Sequence, residues 1–332
     1  MAEAAATSSN RWQGSPPNGW QILRRNRLAM MSLWFTLAVA VLALTIPLFL
    51  DAGVKQVSED QFFPPMSRSE DGARFHLLGT DANGQDLFYR LLTGAQVSLG
   101  VGLVGALVSL VIGGIYGMIS GYAGGRLDGG MMRLVDILNS VPSLLFVMIF
   151  INTFDGYFKD GLDGVRLWAQ AQQVGWLVTL ANDAIPYSRI GILVLALGLV
   201  QWLTMARLVR GQVLVLKELA FVSASRAMGQ GWWKILWKHL WPNLSTLVLT
   251  CLTLTIPAVI RDESFLSFLG LGIEDPAASW GSLLKDGAQV INPLDSKWWL
   301  LLFPAGLMSA TLLALNFLGD GLRDAFDPRG GD

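Results

Sequence analysis

The chain has 332 residues, 52% of them hydrophobic and only 15% charged, with 13 Trp, 36 Gly and a positive mean hydropathy. That composition excludes an ordinary soluble enzyme, and a net charge of −1 argues against a nucleic-acid partner, whose phosphates need a clustered basic excess. One Cys (Cys251) and two His (His76, His239) cannot build an all-Cys/His structural zinc site of four ligands, and a lone Cys closes no internal disulfide.

Residues 1–27 form a polar N-terminal tail ending in Arg24, Arg25 and Arg27. From Leu28 to Leu50 an apolar run of 23 residues follows, about 34 Å long at about 1.5 Å per residue, enough to cross a hydrocarbon core of about 30 Å. It is too long for a cleaved signal peptide's core, so we read it as a retained first transmembrane helix. A polar loop covers 51–93, and the transmembrane core extends over 94–320. Within the core, further spans are expected near Val97 to Ile119, Leu134 to Thr153, Ile190 to Ala206, Leu244 to Ile260 and Trp298 to Leu318, making six. Gly113, Gly117 and Gly121 recur every fourth residue in the second span; they either mark a close helix contact or reflect the frequency of glycine in membrane helices. An outer insertion is expected at about 154–188. Its segment Trp176 to Ile185, interrupted by Asn182, Asp183 and Pro186, reads as an interfacial or re-entrant helix.

Six spans with the N-terminus inside leave segments 1–27, about 120–133, 207–243 and 319–332 in the cytoplasm. These hold 14 of the 24 Lys and Arg but only seven of the 25 acids, in agreement with the positive-inside bias. Asp136 near the inner end of the third span is either a functional-site candidate, as an intramembrane carboxylate, or, the favoured reading, the partner of Arg133 three residues away. Arg261, Asp262 and Glu263 at the outer end of the fifth span read as an ion cluster anchoring a loop.

The polar loop at about 211–242 is the least membrane-like part of the core. Its stretch KELAFVSASRAMGQGWWKILWKHLWPNL, Lys217 to Leu244, places Phe221, Ala224, Ser225 and Met228 at i, i+3, i+4 and i+7, one face of a short helix. Gly229 is a natural stop, a second short helix is expected from Trp232 to about Trp241, and Pro242 marks the start of the next span. Two readings follow from these residues. The hairpin either anchors in lipid headgroups through its four tryptophans and its lysines, or presents a small-residue knob to a groove in a cytoplasmic protein.

The same residues resemble the EAA loop of ABC-importer permeases, whose coupling helices dock onto ATPases. Ser223, Ala224 and Ser225 occupy the Glu-Ala-Ala positions, Gly229 the glycine, and His239, Leu240, Trp241 and Pro242 the closing tetrad. LLGTDANGQDLFYRLLTGAQVSLGVG (Leu77 to Gly102), ESFLSFLGLGIEDPAASWG (Glu263 to Gly281) and NFLGDGLRDAFDPR (Asn316 to Arg329) are similar to the C-type subunit of dipeptide and oligopeptide permeases. The resemblance implies an all-α membrane protein with the type I ABC-importer permease fold, in the inner (plasma) membrane, with both termini cytoplasmic; 321–332 is then a cytoplasmic C-terminal tail. It implies a second homologous permease subunit, two cytoplasmic ABC ATPases that bind ATP and Mg, and an extracytoplasmic substrate-binding protein, with lipid around the chain and no nucleic acid. Phe221, Ser223, Ala224, Ser225, Arg226, Met228, Gly229 and Pro242 would be coupling residues, with Arg226 at the rim and Gly229 as hinge. The resemblance also leaves nickel or another small solute open as cargo.

No cofactor or metal is expected on this chain, and no substrate site is assigned. Two other classes find less support. An ion-driven secondary transporter would usually need membrane-embedded acids and an internal repeat. An intramembrane hydrolase would need a partner near Cys251, which lies in an apolar run with no His nearby in sequence. No Lys is followed by Ser or Thr, so the phosphate-gripping GxxxxGK[ST] loop is absent. The purified chain alone should therefore neither bind nor hydrolyse ATP. Nucleotide binding and phosphate release are the measurements, and hydrolysis that co-purifies with this polypeptide would overturn the expectation.

Overall fold

The computed structural model describes residues 19–49, 58–69, 74–273, 277–292 and 295–326. The first 18 residues of the tail, the last six of the chain, and Glu274 to Pro276 of the late motif lie outside them. In chain order the elements are α1 (Gly19–Arg25), α2 (Arg27–Phe49), a two-residue antiparallel pair β1 (Ser67–Arg68) and β2 (Phe75–His76), and α3 (Leu87–Ala123). They continue with α4 (Gly125–Asn139), α5 (Ser143–Ala171), α6 (Gly175–Ala184), α7 (Ser188–Leu216), α8 (Ala220–Ala227) and α9 (Trp232–Ile235). The last three are α10 (Trp241–Phe268), α11 (Trp280–Gln289) and α12 (Trp299–Phe326). Among the described residues five helical rods are long and apolar enough to cross a membrane, or six if the bent pair of α4 and α5 is one span. The all-α, six-span expectation holds with that bend.

The longest helix, α3, starts ten residues before the expected span, because the motif preceding it is a capping assembly. Asp86 accepts hydrogen bonds from the backbone N–H groups of Phe88 and Tyr89 at 2.9 and 3.2 Å, satisfying donors that the first turn leaves free. Asp81 receives Asn83 N and Gln85 N and pairs with Arg90 at 2.6 Å, while Gly84, at φ +70°, turns the chain between them. The Thr-Asp and Gly-x-Asp elements of that stretch are thus the chemistry that starts α3.

The most extensive helix pair is α3 with α7. A Cβ on Gly113 would lie 2.6 Å from Trp202 O, one on Gly117 2.5 Å from Ala206 O, and one on Gly121 2.9 Å from Arg210 O. The spacing of four on α3 is therefore a seam of close backbone approach, as small-residue packing in membranes requires. Both residue numbers rise together along the seam, so α3 and α7 run parallel. The chain between them consequently makes one net crossing, and α6 adds none.

Several details differ from the sequence reading. The third span is not a straight helix from Leu134 to Thr153. It breaks at Ser140 to Pro142, and α4 and α5 meet at 84°. Pro142 has no N–H for a helical bond and its ring clashes with a preceding carbonyl, so a helix ends before it. The region expected as a separate insertion from about 154 begins inside α5, which continues to Ala171 before α6 and a 3₁₀ turn (Ile185–Tyr187) return the chain to α7. Asp136 pairs with Arg207 of α7 at 3.3 Å and not with Arg133, because α4 lies against α7, where Asp128 is also held by Arg210.

Glu263 does not belong to an ion cluster either. It is fully buried and its carboxylate is held by the hydroxyls of Ser98 (3.2 Å), Ser264 (3.2 Å) and Ser267 (2.7 Å), while Arg261 and Asp262 pair with each other at 3.3 Å. Trp280 N donates to Ser98 Oγ at 3.1 Å, and Ser279 caps α11 through a capping box with Ser282. The late motif thus docks α11 onto α3 and α10.

Ser279 is fully buried, so an accessibility label for that side of the membrane belongs at exposed Ala82, in the turn before α3. In a Cys251-substituted background, Ala82→Cys should react with an impermeant thiol reagent in intact cells, and Ser223→Cys only after the membrane is opened. The reverse pattern would invert the topology.

Candidate functional site

The polar loop folds as a helical hairpin at the end of α7 and α3. Lys217, the residue after α7, donates through Nζ to Gly121 O at 2.9 Å, tying the start of the loop to the last turns of α3. Three residues on, α8 begins without a side-chain cap at Leu219. It ends in a two-bond C-terminal motif: Gln230 N donates to Ser225 O (3.2 Å) and Gly229 N to Arg226 O (2.9 Å), with Gly229 at φ +74°. A non-glycine residue at Gly229 would carry a backbone penalty of about 1 kcal/mol or more. The expected glycine stop is therefore in place.

The second arm is not a separate helix. Trp232–Phe268 forms one continuous rod of 37 residues, made of α9, a π-helical segment (Leu236–Leu240) and α10. Within it Trp241 N bonds to Leu236 O, five residues back. Pro242 explains this local widening, because it offers no N–H to residue 238 and its ring displaces the carbonyl there. The hairpin's second arm is thus directly the start of a spanning helix.

Burial divides the predicted face. Phe221, Ser223, Ala224 and Met228 are exposed, Met228 at 70% of its surface, but Ser225 is only 2% exposed and lies on the opposite face with Val222. Helical spacing alone put Ser225 beside Ala224; the packing of Val222 against Ile235, Leu236, Leu240 and Val213 turns it inward. Ser225 Oγ donates to Phe221 O at 2.8 Å, filling an otherwise unmet need inside the hairpin. Arg226 is not a free rim charge. Its guanidinium lies 4.8 Å from the centre of the Tyr122 ring on α3, and Nε donates to the Tyr122 hydroxyl at 3.3 Å. Pro242 is exposed, but it shapes the rod beyond the α8 face.

The exposed set Phe221, Ala224 and Met228 is joined by Leu219 and by Trp232, Trp233 and Trp237 of the second arm. The hairpin that carries them is fixed by its own core and by contacts to α3. Sequence reasoning missed the supports. Arg210 of α7 donates through Nε and Nη2 to both carboxylate oxygens of Asp128, at 2.6 and 2.7 Å, and Ser120 Oγ donates to the same carboxylate at 2.5 Å. That fork–fork pair locks the α3–α4 corner onto α7 just above the hairpin. Its partners lie 82 residues apart, so no local pattern reveals it. His239 contacts Gln230 Oε1 (3.0 Å) and Ser225 Oγ (3.4 Å), again outside the predicted set.

The comparisons with known proteins agree with this architecture. Residues 113–330 match the family model for the binding-protein-dependent transport system inner membrane component, and residues 18–65 match that for the N-terminal TM domain of oligopeptide transport permease C. The chain is 40% identical to the dipeptide transport system permease protein DppC of Bacillus subtilis (strain 168) over 314 residues, covering 94% of this chain and 85% of that protein. It is 39% identical to the oligopeptide transport system permease protein OppC of Escherichia coli (strain K12), covering 93% and 91%. With OppC of Haemophilus influenzae (strain ATCC 51907 / DSM 11121 / KW20 / Rd), identity is 38% over 92% and 86%. The chain therefore belongs to the family of binding-protein-dependent transport system inner membrane components, as a non-catalytic, multi-pass permease subunit of the oligopeptide permease C type.

Proposed function

We propose that this permease subunit lines half of the path of an ATP-driven peptide importer and that α8 couples it to a cytoplasmic ATPase. The cargo class rests on the relatives, which are dipeptide and oligopeptide transport permeases. The coupling role rests on one observation above all. The apolar face of Phe221, Ala224 and Met228 stands exposed on a hairpin whose opposite face is rigidly packed. A lipid-resting helix needs no such backing, whereas a lever does.

In this reading the complex contains a second, homologous permease subunit, two ATPases that hold ATP and Mg, and an extracytoplasmic substrate-binding protein that selects the peptide. Both termini and the hairpin face the cytoplasm, as the distribution of Lys and Arg favours. The residues of this chain do mechanical work. ATP-driven closure of the ATPases displaces α8; Phe221, Ala224 and Met228 fill their groove, with Ser223 beside them. Lys217 and Arg226 hold the hairpin to α3, and the continuous rod into α10 carries the displacement into the membrane. The bend between α4 and α5, where the apolar residues Leu138, Val141, Phe146, Trp202 and Leu203 line a cavity of about 220 Å³, lies beside the α3–α7 unit that would move.

The experiment places a carboxylate in the docking face. Ala224→Glu would bury a charge without a partner, costing about 2 kcal/mol or more at such a contact, so the ATPases should be lost from the purified complex and peptide uptake should fall to background, at normal abundance of the permease in the membrane. A Phe221→Cys variant should also crosslink to an ATPase. Normal uptake in Ala224→Glu, with no crosslink from position 221, would return the hairpin to a lipid anchor.

A further inference from the structure

We propose that His239 is a positioning residue for coupling: its imidazole clasps the two arms of the hairpin and makes α8 a rigid lever instead of a hinged flap. The proposal rests on the docking role of α8 given above, and goes beyond it by naming how force crosses the turn.

The turn itself is weak. Between α8 and the rod run only Met228 to Gly231, and a Cβ placed on Gly229 or on Gly231 would find no atom within 4 Å. The space beside both glycines is open, and a glycine at φ +74° resists rotation less than any other residue. A load on the exposed face of Phe221 and Met228 would therefore bend the hairpin at this point unless the arms were joined elsewhere.

One joint is apolar, the contact of Val222 with Ile235, Leu236 and Leu240. Apolar contact holds the arms together but is non-directional. The directional joint is His239. Its Nε2 lies 3.0 Å from Gln230 Oε1 and 3.4 Å from Ser225 Oγ. With Gln230 oriented so that its carbonyl oxygen faces the ring, Nε2 is assigned the hydrogen, because that oxygen only accepts. The Ser225 hydroxyl already donates to Phe221 O and so turns a lone pair toward the same N–H. A single N–H thus bridges three pieces of chain in a three-centre bond: the middle of α8, the residue just past the glycine, and the π-helical segment of the rod. The Phe221 ring, part of the docking face, stands 6.5 Å from the imidazole centre, so the clasp sits directly behind the surface that takes the load.

The test uses the complete transporter in proteoliposomes and reads peptide taken up per ATP hydrolysed, together with crosslinking from Phe221→Cys to the ATPase. His239→Ala and Gln230→Ala should each lower that ratio about fivefold, the factor that corresponds to one lost hydrogen bond, with the ATPases still bound and the crosslink retained. The double variant should be no worse than either single one, and His239→Gln, which restores an N–H donor, should recover most of the ratio. An unchanged ratio in both alanine variants overturns the proposal. So does a His239→Gln variant as uncoupled as His239→Ala, or loss of the ATPases from Gln230→Ala, which would make the contact one of docking or folding. Failure of the parent reading looks different: Phe221→Cys without other changes would then give no crosslink to an ATPase at all.

Discussion

Everything else in this chain depends on how closely α3 approaches α7. At Gly113, Gly117 and Gly121 the backbone of one helix lies where the other's side chains would otherwise be, within 2.5–2.9 Å of where a Cβ would stand. In a bilayer no hydrophobic effect drives helices together, so packing at this range, with the dispersion and weak backbone contacts it permits, is what makes two rods one body. Any side chain larger than hydrogen at these three positions would push the helices apart along their whole contact. The seam also dictates topology, because a parallel pair demands one net crossing by the chain between them.

The two ends of this body are finished differently, and each finish suits its side. At one end Asp86 and Asp81 cap and brace α3, and α11 is docked there through Trp280 and the buried Glu263 with its serine hydroxyls. A carboxylate with three hydroxyl partners and no cation can stay buried because each hydroxyl supplies a donor. At the other end Arg210 grips Asp128 and Lys217 reaches Gly121 O, and the hairpin hangs from that corner. In the proposed coupling role, displacement of the hairpin would reach α7 and α3 through these polar contacts and α10 through continuous helix. The exposed face would then need only to be apolar and presented, with its stiffness supplied from behind.

Much of this was legible in the sequence. Apolar runs located five spans and drew the third across the α4–α5 break, because a membrane helix must bury its own backbone polar groups and outline itself as about 20 apolar residues. The Gly229 stop follows from local geometry and appears where expected, and of the two readings of the glycine period of four the structure selects the close helix contact. The errors share a cause. Ser225 was placed on the wrong face, Asp136 was given Arg133 as partner, and Glu263 was grouped with Arg261, each time because proximity in sequence stood in for proximity in space. The bend at Pro142 was available as a signal but was weaker than the hydropathy of the residues on either side. The clasp at His239 and the Asp128–Arg210 lock join residues 14 and 82 positions apart, and no periodicity encodes such pairs.

The account's central claim is that α3 and α7 move as one rigid body when the coupling hairpin is displaced. It is tested most directly by the distance between spin labels at Leu107 on α3 and Leu195 on α7, both exposed, in a Cys251-substituted transporter shown to turn over ATP. The account predicts the same distance distribution without nucleotide and with ATP trapped. A shift of roughly 5 Å, the size of a one-turn ratchet between helices, would show that the glycine seam slides and would contradict it.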